Sequence, residues 1–205
     1  MGENTPIVTM IAGPNGSGKT TLTRELQRMG LEFGAYINAD DHAATLSGAY
    51  DLRVRAAQVW AERERRTCLE QRRSFTFETV MSHPSKVEIL RQARDAGFAV
   101  VVYFVATENA DLNVARVAQR VAQGGHPVPE DRIRARYVRT LALLPAALGE
   151  ADRAVLFDNS YRTSFRKPVI LRPFLELRRD GERAHLKLAP PIPKWAAPAL
   201  AALNG

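Results

Sequence analysis

Hydrophobic positions along the chain fall into short, nearly unbroken apolar runs, separated by longer stretches where apolar residues recur every three or four places. The runs Ile7–Ala12, Ala35–Asn38, Ser74–Glu78 and Phe98–Ala106 predict strands, and Ala154–Phe157 predicts a fifth that closes the core. Between them, Thr20–Met29, Asp51–Gln71, Ser85–Ala96, Asp111–Gln123 and Pro129–Leu148 predict helices. Strands alternating with helices of this length specify the α/β class, a parallel sheet flanked by helices. Ala99–Val105 is apolar at nearly every position, as expected of a strand covered on both faces.

The pattern changes after Asn159. Val169–Leu177 and Ala184–Leu188, around a turn at Arg179–Glu182 that contains Asp180-Gly181, predict a β-hairpin. A tail with Pro190, Pro191 and Pro193 follows, and Trp195 is its expected anchor. The expected organisation is a core over residues 1–165, with a lid at about 111–148, and an appendage over 166–205 packed on that core. No repeat or low-complexity tract is present.

One segment carries specific chemistry. Gly13-Pro14-Asn15-Gly16-Ser17-Gly18-Lys19-Thr20 follows a predicted strand and leads into a predicted helix, the context a phosphate-binding P-loop requires. Glycines let successive backbone N–H groups turn toward one anion, and the helix points its positive end at the same place. Lys19 is placed to reach β- and γ-phosphate oxygens, and the Thr20 hydroxyl to ligate Mg²⁺. Gly13 through Thr20, with Thr21 beside them, are therefore the expected binding residues for ATP, with GTP the less favoured nucleotide.

Composition narrows the setting. Across 205 residues, 45% hydrophobic and 25% charged content is that of a globular domain. No apolar run approaches the ~20 residues of a membrane span, and the N-terminus lacks the order of a secretory signal. The single cysteine, Cys68, can form no internal disulfide. These features point to a cytoplasmic protein without a membrane partner. The net charge of +7 raises nucleic acid as a partner, but the arginines are spread over helices and mixed with acids, as in Ala61–Arg73. An anionic small substrate or a basic surface accounts for them better.

Absent signatures separate the P-loop classes. Leu46-Ser47-Gly48-Ala49-Tyr50 is an incomplete and misplaced transporter signature, and the strongest apolar strand ends without an aspartate that would polarise water. No guanine-reading NKxD sequence is present. A kinase-like class remains, and it needs a base, an acceptor pocket and mobile arginines. Asp40 and Asp41 follow the second strand, at the carboxyl end where open α/β sheets form their ligand crevice. Asp40 suits the catalytic base and Asp41 the helix cap. Glu78 and Thr79, ending the third strand, are candidate acceptor-binding residues. Arg116 and Arg120 share a helix face, and a break at Gly124-Gly125-His126-Pro127-Val128-Pro129 precedes Arg132, Arg136 and Arg139. Two arginine-bearing helices around a glycine hinge predict a closing lid. Asn159, after the last core strand, is placed for adenine contact through its backbone.

Taken in order, Gly13–Thr21, Ile37-Asn38-Ala39-Asp40, Phe77-Glu78-Thr79, Gly124–Pro129, Arg134-Ala135-Arg136-Tyr137 and Phe157-Asp158-Asn159-Ser160 resemble the zeta-toxin-like P-loop kinases. The resemblance covers roughly residues 5–162 and is similar to a short bacterial branch described as predicted ATPases. Characterised zeta toxins phosphorylate UDP-N-acetylglucosamine at the sugar 3′-hydroxyl. By that resemblance Lys19 and Thr20 hold ATP and Mg²⁺, Asp40 matches the catalytic base, and Glu78 a substrate-binding glutamate. Thr79 falls one place earlier than the family's threonine because an intervening glycine is missing. Arg120 and Arg136, then Arg116, are the best matches for the two lid arginines. The implied function is phosphoryl transfer to a small-molecule hydroxyl, with a UDP-activated amino sugar as the leading acceptor. Another nucleotide sugar, a nucleotide cofactor or a different hydroxyl compound fits the same lid. An antitoxin partner is allowed by the resemblance and required by no residue. The competing reading is a nucleotide-switched ATPase or binding protein, nucleic-acid associated through its charge, and acceptor-independent hydrolysis separates the two.

Overall fold

The computed structural model describes residues 5–160, 171–181 and 183–203. Five strands, β1 (Ile7–Ala12), β2 (Ala35–Ile37), β3 (Phe75–Thr79), β4 (Ala99–Ala106) and β5 (Arg153–Asp158), pair in parallel. Helix α1 (Lys19–Arg28) links β1 to β2, and α2 (Ala39–Thr45) and α3 (Tyr50–Glu70) link β2 to β3. Helix α4 (Ser85–Asp95) leads to β4, while α5 (Ala110–Ala122) and α6 (Glu130–Glu150) lead to β5. This is the mostly parallel α/β sheet that the alternating pattern predicts.

β5 is not the sheet edge. Strands β6 (Arg172–Asp180) and β7 (Arg183–Leu188) form the expected hairpin, and β6 pairs antiparallel with β5. The seven-stranded order is β2-β3-β1-β4-β5-β6-β7. The hairpin turn is tighter than expected, since Asp180 pairs with Arg183 and Arg179 stays in the strand. Gly181, at φ +57, supplies the left-handed backbone that so short a connection demands. Val169 and Ile170, placed in the first hairpin strand by sequence, lie outside the described residues.

Strand alternation sends two sets of side chains in opposite directions. Val8, Met10, Phe75, Phe77, Val102, Phe104 and Leu156 join Leu90, Leu144 and Leu148 from α4 and α6 in the main core. Ile11 and Val105 meet Leu22 and Leu26 of α1 on the other face. The C-terminal 3₁₀ turn Lys194–Ala196 and α7 (Ala197–Leu203) complete the main core. Trp195 is the anchor there: it is 7% exposed and lies 5.8 Å from Phe104 and 5.3 Å from Phe174, ring centre to ring centre.

Helix α2 went unpredicted because none of its residues is buried, so it leaves no hydrophobic period to read. Its cap corrects one expectation. The side chain of Asn38, not Asp41, caps it, accepting from the Asp40 and Asp41 backbone N–H groups at 3.0 and 3.4 Å. Asn38 has the extended backbone a cap requires, whereas Asp40 and Asp41 fall in the first turn, where their charge suits the helix dipole.

Candidate active site

The loop between β1 and α1 is shaped by glycine. A Cβ on Gly13 would lie 2.1 Å from the Val105 carbonyl oxygen, so β4 backbone occupies the space any other residue needs. Gly18 caps α1 at φ +103, a conformation that costs other residues. Lys19 Nζ bends back over the loop, donating to the Gly13 carbonyl at 3.0 Å and the Pro14 carbonyl at 3.2 Å. Ser17 Oγ is buried with no hydrogen-bond partner among the described residues. The Asn159 side-chain amide supports the loop from the end of β5, donating to the Ser17 carbonyl at 2.8 Å. Thr20 is exposed and Thr21 half-buried in the first turn of α1.

Opposite the loop stands an acidic group set by β2 and β3. Glu78 pairs in register with Ile11, near the carboxyl end of β1. Its Oε1 accepts from the Tyr36 hydroxyl at 2.7 Å and from Thr23 Oγ1 at 2.5 Å. Asn38 Nδ2 donates in turn to the Tyr36 oxygen at 3.1 Å. One residue therefore both caps the helix that carries Asp40 and steadies the tyrosine that holds Glu78. Thr79 turns elsewhere: its hydroxyl accepts from the Met81 N–H at 3.0 Å, and its carbonyl from the Gly13 N–H at 3.3 Å.

The lid candidates divide. Arg136 reaches the loop, donating to Asn15 Oδ1 at 3.4 Å. Arg120 donates to the His126 carbonyl at 3.4 Å, within the connection between α5 and α6. Arg116 donates to the Asn159 carbonyl at 2.8 Å. The Asn159 N–H is bonded to the Ala106 carbonyl at 2.9 Å, so both main-chain groups expected to meet adenine already have protein partners. Arg132 and Arg139 are exposed. Helix α6 is tied to the sheet end by the Tyr137 hydroxyl on the Thr107 carbonyl and by Thr140 on the Val80 carbonyl, each at 2.7 Å.

Charge gathers these residues around Lys19. Burial lowers the pKa of its ammonium, the carboxylates of Glu78 and then Asp40 oppose that shift, and Arg120 and Arg136 add to it. Burial and the neighbouring Arg132 and Arg139 lower Arg136, against Asp40. Desolvation, then Glu78 and Asp40, push Asp41 upward. Tyr36 is raised well above the ordinary phenol range, first by burial and then by the Glu78 charge. The Tyr36 hydroxyl thus stays protonated as a donor.

The arrangement fits a phosphate chain. Loop glycines leave room at the backbone, a buried hydroxyl stands without a partner, and a lysine that now holds loop carbonyls is free to exchange them for anionic oxygens. For Mg²⁺ the chain offers the exposed Thr20 hydroxyl, and no group of three or more His, Cys, Asp or Glu among the described residues forms a metal cluster. That donor set suits magnesium, which relies on few protein ligands and on substrate phosphates. Sequence reasoning missed Tyr36 and Thr23 as site residues. Tyr36 was visible only as the strand residue two before Asn38, and Thr23 only as one helix turn beyond Lys19.

Fold and site together define a P-loop phosphotransferase of the kinase type. The family described as zeta toxin matches residues 2–165, and the chain belongs to that family. An uncharacterised protein of Haemophilus influenzae (strain ATCC 51907 / DSM 11121 / KW20 / Rd) is 29% identical over 129 residues, which span 61% of this chain and 88% of that one. Among solved structures, AvrRxo1-ORF1:-ORF2 with ATP superposes with TM-score 0.65 at 14% identity, covering 86% of this chain and 59% of that one. The PezAT toxin–antitoxin system of Streptococcus pneumoniae superposes with TM-score 0.57 at 14% identity, covering 77% and 69%. No helix among the described residues is long and apolar enough to cross a membrane.

Proposed function

We propose that the chain transfers the γ-phosphoryl group of ATP to a hydroxyl of a small molecule, with a UDP-activated amino sugar as the leading acceptor. The observation that carries this reading is that Glu78 of β3 is hydrogen-bonded to Thr23, one helix turn beyond Lys19, while Arg136 of α6 donates to Asn15 of the loop, so that a carboxylate and an arginine from separate elements meet at the loop. Glu78 Oε1 is already engaged by Tyr36 and Thr23, which leaves Oε2 to accept from an acceptor hydroxyl or amide.

In this reading the loop N–H groups and Lys19 hold the triphosphate, and Asp40 accepts the proton of the attacking hydroxyl. The acceptor oxygen forms its bond to the γ-phosphorus as the bond to the bridging oxygen breaks, and ADP departs. Arg120 and Arg136 close over the phosphates and balance the charge that develops. Magnesium, held by Thr20 and phosphate oxygens, would supply further charge neutralisation.

The test is incubation with Mg²⁺-ATP and a panel of nucleotide sugars, read by mass spectrometry for the mass gain of one phosphoryl group. Acceptor-dependent turnover that collapses in Asp40→Asn, with ATP binding retained, is expected. Fast acceptor-free hydrolysis with no phosphorylated acceptor would instead favour the ATPase reading.

A further inference from the structure

The two sheet faces are unequally covered. Helices α3, α4, α6 and α7 bury one face, while among the described residues α1 is the helix on the other, packing beside β1 and β4. Beyond it, no further helix of the described residues packs on the face over β4 to β7. Register fixes what it presents. One row reads Thr9, Val101, Arg153, Arg178 and His185 across β1, β4, β5, β6 and β7. The next reads Ile11, Tyr103, Val155, Glu176 and Lys187.

These rows line a concavity of about 400 Å³, with Leu31 and Glu32 on its α1 side. Its floor is apolar, and Val101, Tyr103 and Val155 are only half-buried there. Its far wall places the Arg153 and Arg178 side chains directly opposite one another, with His185 next in the row, and all three are exposed. Like charges placed opposite across strands weaken pairing. Among the described residues neither arginine has an ion-pair partner within 4.0 Å, whereas Lys187 and Glu176 in the next row lie 4.0 Å apart. Arg153 and Arg178 therefore stand beside an apolar floor without an ion pair among the described residues, with Glu32 and Glu176 elsewhere on the rim.

We propose that this face docks an amphipathic α-helix of a partner protein, its apolar stripe on Val101, Tyr103 and Val155 and an acidic flank against Arg153 and Arg178. A sheet face is ordinarily closed by helices, and among the described residues this floor has none on the side away from α1. Strand β4 has 8 residues, so it spans about 26 Å, the length of a helix of roughly 17 residues. The site stands apart from the phosphate loop and does not depend on the transferase reading.

The test uses the full chain and a designed helical peptide of about 17 residues with a leucine stripe flanked by glutamates. A counterpart with lysines replacing the glutamates, and vesicles of phosphatidylglycerol with phosphatidylcholine, are run beside it. Binding is read by fluorescence anisotropy and by hydrogen exchange of β4 to β7. The acidic peptide is expected to bind and protect those strands, the lysine peptide to bind at least about tenfold more weakly, and vesicles not to bind. Arg153→Glu with Arg178→Glu should reverse the peptide preference, whereas Arg63→Glu with Arg66→Glu on the exposed side of α3 should leave it unchanged. Should the double variant on the sheet fail to fold, Val155→Lys serves instead and should abolish binding. The proposal falls if both peptides bind alike or neither binds. It falls equally if vesicles protect the face, or if sedimentation finds a dimer dispersed by the same reversals.

Discussion

The contact between Gly18 and Asn159 allows a quantitative test of how the phosphate loop is held. In Gly18→Ala the new Cβ would sit 2.5 Å from Asn159 Nδ2, and the only other heavy atom within 4 Å among the described residues is Asn159 Cγ. The alanine also inherits φ +103, which costs a non-glycine residue about 1–2 kcal/mol. Moving the Asn159 amide aside forfeits its 2.8 Å bond to the buried Ser17 carbonyl, worth about 1–3 kcal/mol. Gly18→Ala should therefore cost about 2–5 kcal/mol and Asn159→Ala about 1–3 kcal/mol. Both single variants lose the same hydrogen bond, which the double variant can lose only once. The double variant should fall short of the sum by about 1–3 kcal/mol. Urea denaturation gives the stability cycle, and calorimetry with Mg²⁺-ATP gives the matching affinity cycle. Additivity within about 0.5 kcal/mol in both would refute the idea that Asn159 supports the loop at Gly18.

Lys19 should leave a signature in the pH dependence of stability. Burial lowers its folded pKa below the ordinary 10.5, so between the two values the unfolded chain binds more protons and stability rises with pH. Denaturation of wild type against Lys19→Met should show that rise in the wild type alone, and equal slopes would contradict it. Tyr36→Phe removes a charge-assisted bond to Glu78 worth about 1.5–3 kcal/mol. It should raise the KM for the acceptor about ten- to hundredfold with little change in kcat, as steady-state kinetics would report. Trp195→Ala empties a site against Phe104 and Phe174 and unpairs Asp158 Oδ1 from the indole N–H at 3.3 Å. A loss of about 3–5 kcal/mol is expected, seen as a Tm lower by roughly 6–20 °C in calorimetry.

Local chemistry was legible in the chain. Gly13–Thr20 carries the P-loop pattern because close backbone approach and positive φ demand glycine at fixed spacing, a requirement that lies within one segment. The parallel sheet was equally legible, since its strands read as nearly unbroken apolar runs such as Ala99–Ala106, although Val101 and Tyr103 on one face of that strand stay half-buried where covering of both faces was expected. Asp40 and Glu78 could be singled out because strand ends in such a sheet share one edge.

Tertiary structure decided what depends on distant segments meeting. That Tyr36 and Thr23 engage the same oxygen of Glu78, across 42 and 55 residues of chain, has no local signature. The Asn159 amide reaches Ser17 across 142 residues, where sequence had assigned its backbone to adenine. The joining of β6 to β5 and the lining-up of Arg153, Arg178 and His185 follow from strand register. Periodicity tells which side of a strand a residue faces, but only pairing tells what stands beside it.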